Sequence, residues 1–164
     1  ERDEVDVIML GPSEGIQGGD LVTGTGERLS IEVGNSLLGR VVDPLANPLD
    51  GRGNIDAPES WHLEQDAPGI VERAPVNEPL LTGWKVIDAL VPIGRGQREL
   101  IVGDRQTGKT AIAVDTIINQ RDTDVLCVYC AVGQRTSAVS RVVDDLKTHE
   151  VMEKSVVLVV WKSG

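Results

Sequence analysis

Glu99-Leu100-Ile101-Val102-Gly103-Asp104-Arg105-Gln106-Thr107-Gly108-Lys109-Thr110 is the stretch on which the reading of this chain turns. Four residues that suit a buried strand run into G-x-x-x-x-G-K-[ST], the Walker A pattern, and a helix opens at Lys109. A phosphate tail needs several donors converging on it, and successive backbone N–H groups in a tight turn form such a nest. Gly103 and Gly108 carry no Cβ to block that approach. The helix beginning at Lys109 turns the positive end of its dipole toward the same point. Lys109 adds a point charge for the outer phosphates, and the Thr110 hydroxyl is placed to ligate Mg²⁺. Asp104, Arg105, Gln106 and Thr107 complete the loop. The pattern lies between a strand and a helix, which separates it from a glycine-rich turn holding an incidental lysine.

Outward from the loop, strand and helix alternate. Lys109 to Asn119 is predicted helical, with Ala111, Ile112, Val114, Ile117 and Ile118 as its apolar side. Val125 to Val132 is a near-continuous apolar run, expected as a central parallel strand with both faces covered. A second helix is predicted from Thr136 to about His149, apolar at 138–139, 142–143 and 146. Another buried strand is predicted from Ser155 to Trp161. This order implies a parallel α/β sheet with crossover helices.

Toward the N-terminus the texture differs. Val5–Leu10, Leu29–Val33 and Leu37–Val42 read as short strands broken by turn residues, with no helical period. Pro58, Pro68, Pro75 and Pro79 make the following stretch an extended connector. The expected organisation is an all-β piece over residues 1–60, a proline-rich connector over 61–85 and a nucleotide-binding part over 86–164.

Composition narrows the function. Of the 164 residues, 26 are acidic and 16 basic, a formal charge of −10, which opposes a nucleic-acid-binding face. Aromatic residues are limited to Trp61, Trp84, Tyr129 and Trp161, too few for stacking platforms. Arg95, Arg98 and Arg105 therefore do not argue for RNA. No run approaches the roughly 18 apolar residues of a membrane span, so direct membrane insertion is not expected. The charged start and absent initiating Met suggest a chain drawn from inside a longer one. Two cysteines fit a reducing compartment. Cys127-x-x-Cys130 lies mid-strand, where residues three apart point to opposite faces, so it reads as core rather than a redox pair. His62 and His149 are read as surface residues. The acidic positions between Asp43 and Asp56 lack calcium-loop spacing and are read as solvated turns.

A hydrolase also needs an acid for the magnesium shell and a group that handles water. Val142-Val143-Asp144-Asp145 imitates such a strand end but recurs at helical spacing. Val156–Val160 is a strand that no carboxylate follows. Neither supplies the acid. At the end of the second strand stands Gln134, where a glutamate could act as base and an amide cannot.

Pro92-Ile93-Gly94-Arg95-Gly96-Gln97-Arg98-Glu99-Leu100, the loop at 103–110, Ala113–Gln120 and Ala131-Val132-Gly133-Gln134-Arg135 resemble the alpha subunits of F-type rotary ATP synthases. Leu37–Asp43 and Ala67-Pro68-Gly69-Ile70 fit the same family. The resemblance implies a RecA-like P-loop NTPase sheet with flanking helices, preceded by the end of an N-terminal β-barrel and cut before the Walker B strand. It implies an Mg·ATP (or ADP) site that binds without turnover, with Arg105, Gln106, Lys109 and Thr110 at the phosphates. Gln134 would stand near the magnesium shell through water, in the slot of the catalytic glutamate; no catalytic residue is expected in this chain. It further implies partnership with the beta subunit and the other subunits of a proton-translocating complex. That complex would be peripheral on the cytoplasmic face of a bacterial or archaeal membrane, or its organellar equivalent, and the chain itself soluble. The isolated chain is expected to self-associate through an uncovered strand edge. A catalytic rotary or export-type ATPase and a structural piece that binds no nucleotide are the alternatives. Val159 to Gly164 departs from the small residues the family usually carries there.

Overall fold

A computed structural model describes residues 6–10 and 14–160. Seven strands and three α-helices follow in chain order: β1 Ser30–Val33, β2 Val41–Val42, β3 Glu59–His62, β4 Pro79–Leu80, α1 Lys85–Leu90, β5 Ile93–Gly94, α2 Lys109–Ile118, β6 Cys127–Val132, α3 Thr136–Thr148 and β7 Ser155–Val160. Short 3₁₀ turns occupy Asn35–Leu37, Ile70–Glu72 and Met152–Lys154.

The core is built on a parallel sheet ordered β2–β7–β6. Along β6 and β7 the register runs from Cys127 opposite Ser155 to Val132 opposite Val160. Because side chains alternate along a strand, Tyr129, Ala131, Val157 and Val159 fall on one face and are buried there. Val139, Val142 and Leu146, at helical spacing on α3, cover that face, and Val114 of α2 joins them. The apolar period of α3 was thus a sound guide, and Asp144–Asp145 are helical rather than a strand end.

The opposite face is open. Val128 and Val132 are each 67% exposed, although the apolar run predicted cover on both sides. The reason is that α2 and α3 pack on the same face, and among the described residues no helix crosses to the other. β6 is also the outer strand of the sheet. The predicted strand over 99–102 does not form: these residues join no ladder, and Leu100 and Val102 are 81% and 80% exposed. An extended segment without a neighbour to accept its backbone groups stays solvated.

Several N-terminal expectations also change. Residues 6–10 carry no strand, while Val5 of that expected strand lies outside the described residues, as do Gly11 and Pro12. Of Leu37–Val42, Leu37 ends a 3₁₀ turn, Leu38–Gly39 continue as a turn, and only Val41–Val42 are strand. Those two, β2, pair in parallel with Val157 and Leu158. The expected division near residue 60 runs through β3, and β2 on its N-terminal side shares the sheet with β6 and β7. The proline-rich connector is more structured than its composition suggested. β3 pairs antiparallel with β1, placing Ser30 opposite His62 and Val33 opposite Glu59. β4 pairs with β5. Among the described residues, the N-terminal part holds this two-stranded antiparallel ladder. β7 ends at Val160, and Trp161 of the predicted strand lies outside the described residues.

A buried ion pair fastens β2. Arg40 Nε donates to Asp50 Oδ2 at 2.7 Å and its Nη2 donates to Asp50 Oδ1 at 2.9 Å and to the Gly53 carbonyl at 2.7 Å. The Val41 and Arg52 amides donate to the same carboxylate. Asp50 is therefore no solvated turn residue. Its hydrogen bonds from Arg40 hold its carboxyl well below the usual range, against the opposing effect of burial. Asp43 does fit the turn reading, accepting from the Leu45 and Asn47 amides.

Candidate phosphate-binding loop

Gly103–Thr110 forms a loop that delivers the chain into α2. Gln106 and Gly108 both take positive φ, +64° and +90°. At Gly103 an added Cβ would meet Thr107 Oγ1 at 2.8 Å, so glycine is what lets the loop close on itself. Thr107 Oγ1 donates to the Asp104 carbonyl at 2.8 Å, pinning that closure. Gly108 is the residue before α2, and no side chain caps the helix there. The first N–H groups of α2, which have no partner within the helix, are consequently left facing out of its N-terminus.

Lys109 folds back over the loop. Its Nζ donates to the Gly103 carbonyl at 2.5 Å, to the Asp104 carbonyl, and at 3.5 Å to Thr107 Oγ1. The ammonium thus hangs above the ring of loop atoms with its donors held by backbone oxygens. Gln106, Thr107, Gly108, Lys109, Thr110 and Ala111 line a shallow cavity of about 320 Å³. Thr110 is exposed on the first turn of α2. Arg105 is exposed beside the loop. The residues from 103 to 110 form one exposed loop at the start of α2, without the preceding strand over 99–102 that the reading of the pattern expected. A positive side chain and the N–H groups of an uncapped helix start are donors of the kind an anion accepts from.

Gln134 is elsewhere. It follows the turn that ends β6, half-buried, and is not among the residues lining the loop cavity. Its side-chain amide meets the hydroxyl of Tyr129 instead, Oη lying within hydrogen-bond distance of both ends, accepting from Nε2 at 3.2 Å or donating to Oε1 at 3.3 Å. Sequence reasoning passed over Tyr129 as one more apolar strand residue. The signal was its place on the buried face of β6, five residues before Gln134 and across a single turn.

The other candidates resolve simply. The core reading holds for Cys127 alone, whose thiol burial pushes up; Cys130, three residues on and so on the opposite face of β6, is exposed. His62 and His149 are exposed. Arg95 is occupied by Asp124 at 3.1 Å and Glu78 at 3.3 Å, which leaves little of it for a nucleic-acid phosphate. Among the described residues, no helix is long and apolar enough to cross a membrane.

A parallel sheet with crossover helices, carrying a glycine-bounded loop and a lysine at a helix start, defines the class of α/β nucleotide-binding domains. Residues 83–163 match the family described as the ATP synthase alpha/beta family, nucleotide-binding domain. The chain is 54% identical over 159 residues to ATP synthase subunit alpha 1 of a Marinomonas strain, covering 97% of this chain and 31% of that protein. It is 52% identical over 159 residues to ATP synthase subunit alpha 1 of Pseudoalteromonas atlantica, covering 97% and 30%. Against ATP synthase subunit alpha of Dichelobacter nodosus it is 53% identical over 158 residues, covering 96% and 31%. The chain belongs to the ATP synthase alpha/beta family. It spans about a third of the length of the curated relatives it matches. The stretch at 159–164, expected from the sequence to depart from the family, lies inside the matched span as far as 163.

Proposed function

We propose that Gly103–Thr110 is the phosphate cradle of an Mg·ATP (or ADP) site that binds nucleotide without hydrolysing it. In this reading the chain is part of a non-catalytic alpha subunit in the ring of a proton-translocating ATP synthase. The observation that carries it is the loop itself: Lys109 above two left-handed positions at an uncapped helix start. The lysine donors that now reach the Gly103 and Asp104 carbonyls would turn to phosphate oxygens, and the free N–H groups of α2 would take the inner phosphates. Asp104, Arg105, Gln106 and Thr107 shape the loop wall, and the Thr110 hydroxyl would hold the metal. Magnesium, when bound, neutralises phosphate charge and orders the outer oxygens.

Silence toward hydrolysis rests on Gln134. Water attacking the terminal phosphate must be oriented and relieved of a proton, and a positioned carboxylate contributes about 10²–10⁴-fold. An amide accepts a hydrogen bond from water but cannot take its proton at neutral pH. The partners in this reading are the beta subunit and the remaining subunits of the complex, which would hold the chain at the membrane surface without inserting it. Family membership and the alpha-subunit relatives support that assembly.

The test is single-turnover ATP cleavage in the assembled ring with the beta sites disabled. Little or no cleavage is expected. Cleavage at about 1 s⁻¹ or faster, within the range of ordinary catalysis, would overturn the non-catalytic assignment in favour of a catalytic rotary or export-type subunit. A Gln134→Glu variant that gains cleavage would identify the missing base.

A further inference from the structure

We infer that Thr107 is a positioning residue for Lys109: its hydroxyl is a standing donor to the Asp104 carbonyl, which lets the ammonium leave that carbonyl for a phosphate oxygen. The inference rests on the nucleotide-binding reading above and adds to it the residue that makes the lysine available.

In the ligand-free loop Lys109 is already occupied. Its Nζ donates to the Gly103 carbonyl at 2.5 Å, to the Asp104 carbonyl and, at 3.5 Å, to Thr107 Oγ1. A phosphate must therefore take the ammonium from backbone oxygens. A carbonyl that loses a charged donor is left with an unmatched lone pair beside an anion, and an acceptor left unmatched costs more than the bond was worth. Asp104 is the carbonyl for which the loop holds a second donor. Thr107 Oγ1 donates to it at 2.8 Å. A carbonyl oxygen has two lone pairs and takes both donors at once, whereas a hydroxyl has a single proton, spent here on Asp104. The hydroxyl thus turns lone pairs rather than its proton toward the ammonium, and it holds the Asp104 carbonyl without repelling Lys109.

The loop is shaped around that hydroxyl. Gln106, at φ +64°, turns the chain so that residue 107 returns over residues 103 and 104. A Cβ added at Gly103 would come within 2.8 Å of Thr107 Oγ1, so the space a side chain would fill at 103 is the space the hydroxyl uses. Threonine is stiff at its first torsion, which keeps Oγ1 at that point. When the ammonium swings to a phosphate oxygen, the Asp104 carbonyl keeps its bond from Thr107, and the release of the lysine costs one hydrogen bond less.

The test is ATP binding by the full chain, measured by isothermal titration calorimetry with a chelator present so that magnesium plays no part. Thr107→Val deletes the hydroxyl and keeps the branch. It should weaken ATP binding by about 2- to 10-fold, the range of one net hydrogen bond, and Thr107→Ser should restore it. In a Lys109→Ala background the valine should cost nothing, because no ammonium remains to be released. A hydroxyl that only shapes the loop would cost the same in both backgrounds. Equal losses, no loss in the parent background, or a loss that serine does not restore would each overturn the inference. ATP binding that is absent from the unsubstituted chain, or that Lys109→Ala leaves unchanged, would instead refute the nucleotide-binding reading and the inference with it. Should valine lower the ligand-free melting temperature, Thr107→Ala deletes the same hydroxyl and takes its place in the comparison.

Discussion

Replacing Lys109 by alanine should separate binding from stability, and the structure sets how far. In the ligand-free chain the ammonium donates to the Gly103 and Asp104 carbonyls and to Thr107 Oγ1. All three acceptors sit in an exposed loop away from the core cluster, so water replaces the lysine and the ligand-free melting temperature should hardly change. With nucleotide the same donors meet phosphate oxygens. Hydrogen bonds to charged groups contribute about 1.5–3 kcal/mol, which is roughly a 10- to 150-fold loss of affinity on deletion. At a concentration 100 times its dissociation constant, Mg·ATP should stabilise the fold by about 2.7 kcal/mol. At roughly 2–4 °C per kcal/mol for a chain of this size, melting rises by about 5–10 °C. If Lys109→Ala weakens binding about 100-fold, the same ligand concentration equals the new dissociation constant. The stabilisation then falls to about 0.4 kcal/mol, a shift of only about 1–2 °C. Differential scanning fluorimetry across an Mg·ATP titration reads both numbers. A variant that keeps the full ligand-induced shift would show that Gly103–Thr110 is not the site. A variant whose ligand-free melting point collapses would show that the lysine holds the fold.

Two further outcomes follow from the packing. Asp50→Ala should lower the melting temperature by several degrees, since it strands the buried Arg40 guanidinium and frees β2 from its loop. Because the folded carboxyl titrates below its unfolded value near 3.9, its contribution is complete above about pH 4. It drains away as pH falls through the lower folded value, so the gap between variant and parent should close in acid; a gap independent of pH between 2 and 7 would contradict the linkage. The open edge and face of β6 should drive the isolated chain to self-associate at ~100 μM despite its charge, as exposed edges do. Light scattering should show this, and Val128→Lys should return it toward monomer; a parent that is already a clean monomer would count against the prediction.

What the sequence determined by itself was local. Gly103, Gly108, Lys109 and the helix after them are read by neighbours within a few residues, because a left-handed turn and a helix start are short-range decisions. The apolar period of α3 likewise named Val139, Val142 and Leu146 as core, since a helix carries its own geometry. That position 134, just past the end of β6, carries an amide rather than a carboxylate was also legible, as a matter of side-chain chemistry alone.

Beyond the parallel pair β6 and β7, which the strand–helix–strand order did announce, strand pairing was not legible, because a strand exists only if a second segment supplies its ladder. Leu100–Val102 has the composition of a strand and no partner, while Glu59–His62, hidden among prolines, has one in β1. The two residues of β2 join the sheet of β6 and β7 through a register that no local pattern announces. Whether the apolar run of β6 is covered on one face or two depends on which side α2 and α3 choose, and they choose the same one. Asp50 looked like a turn acid until Arg40, ten positions earlier, was brought against it in a buried pair. The same long-range packing turned Tyr129 from a core aromatic into the neighbour of Gln134, since only the turn after β6 decides what its hydroxyl meets.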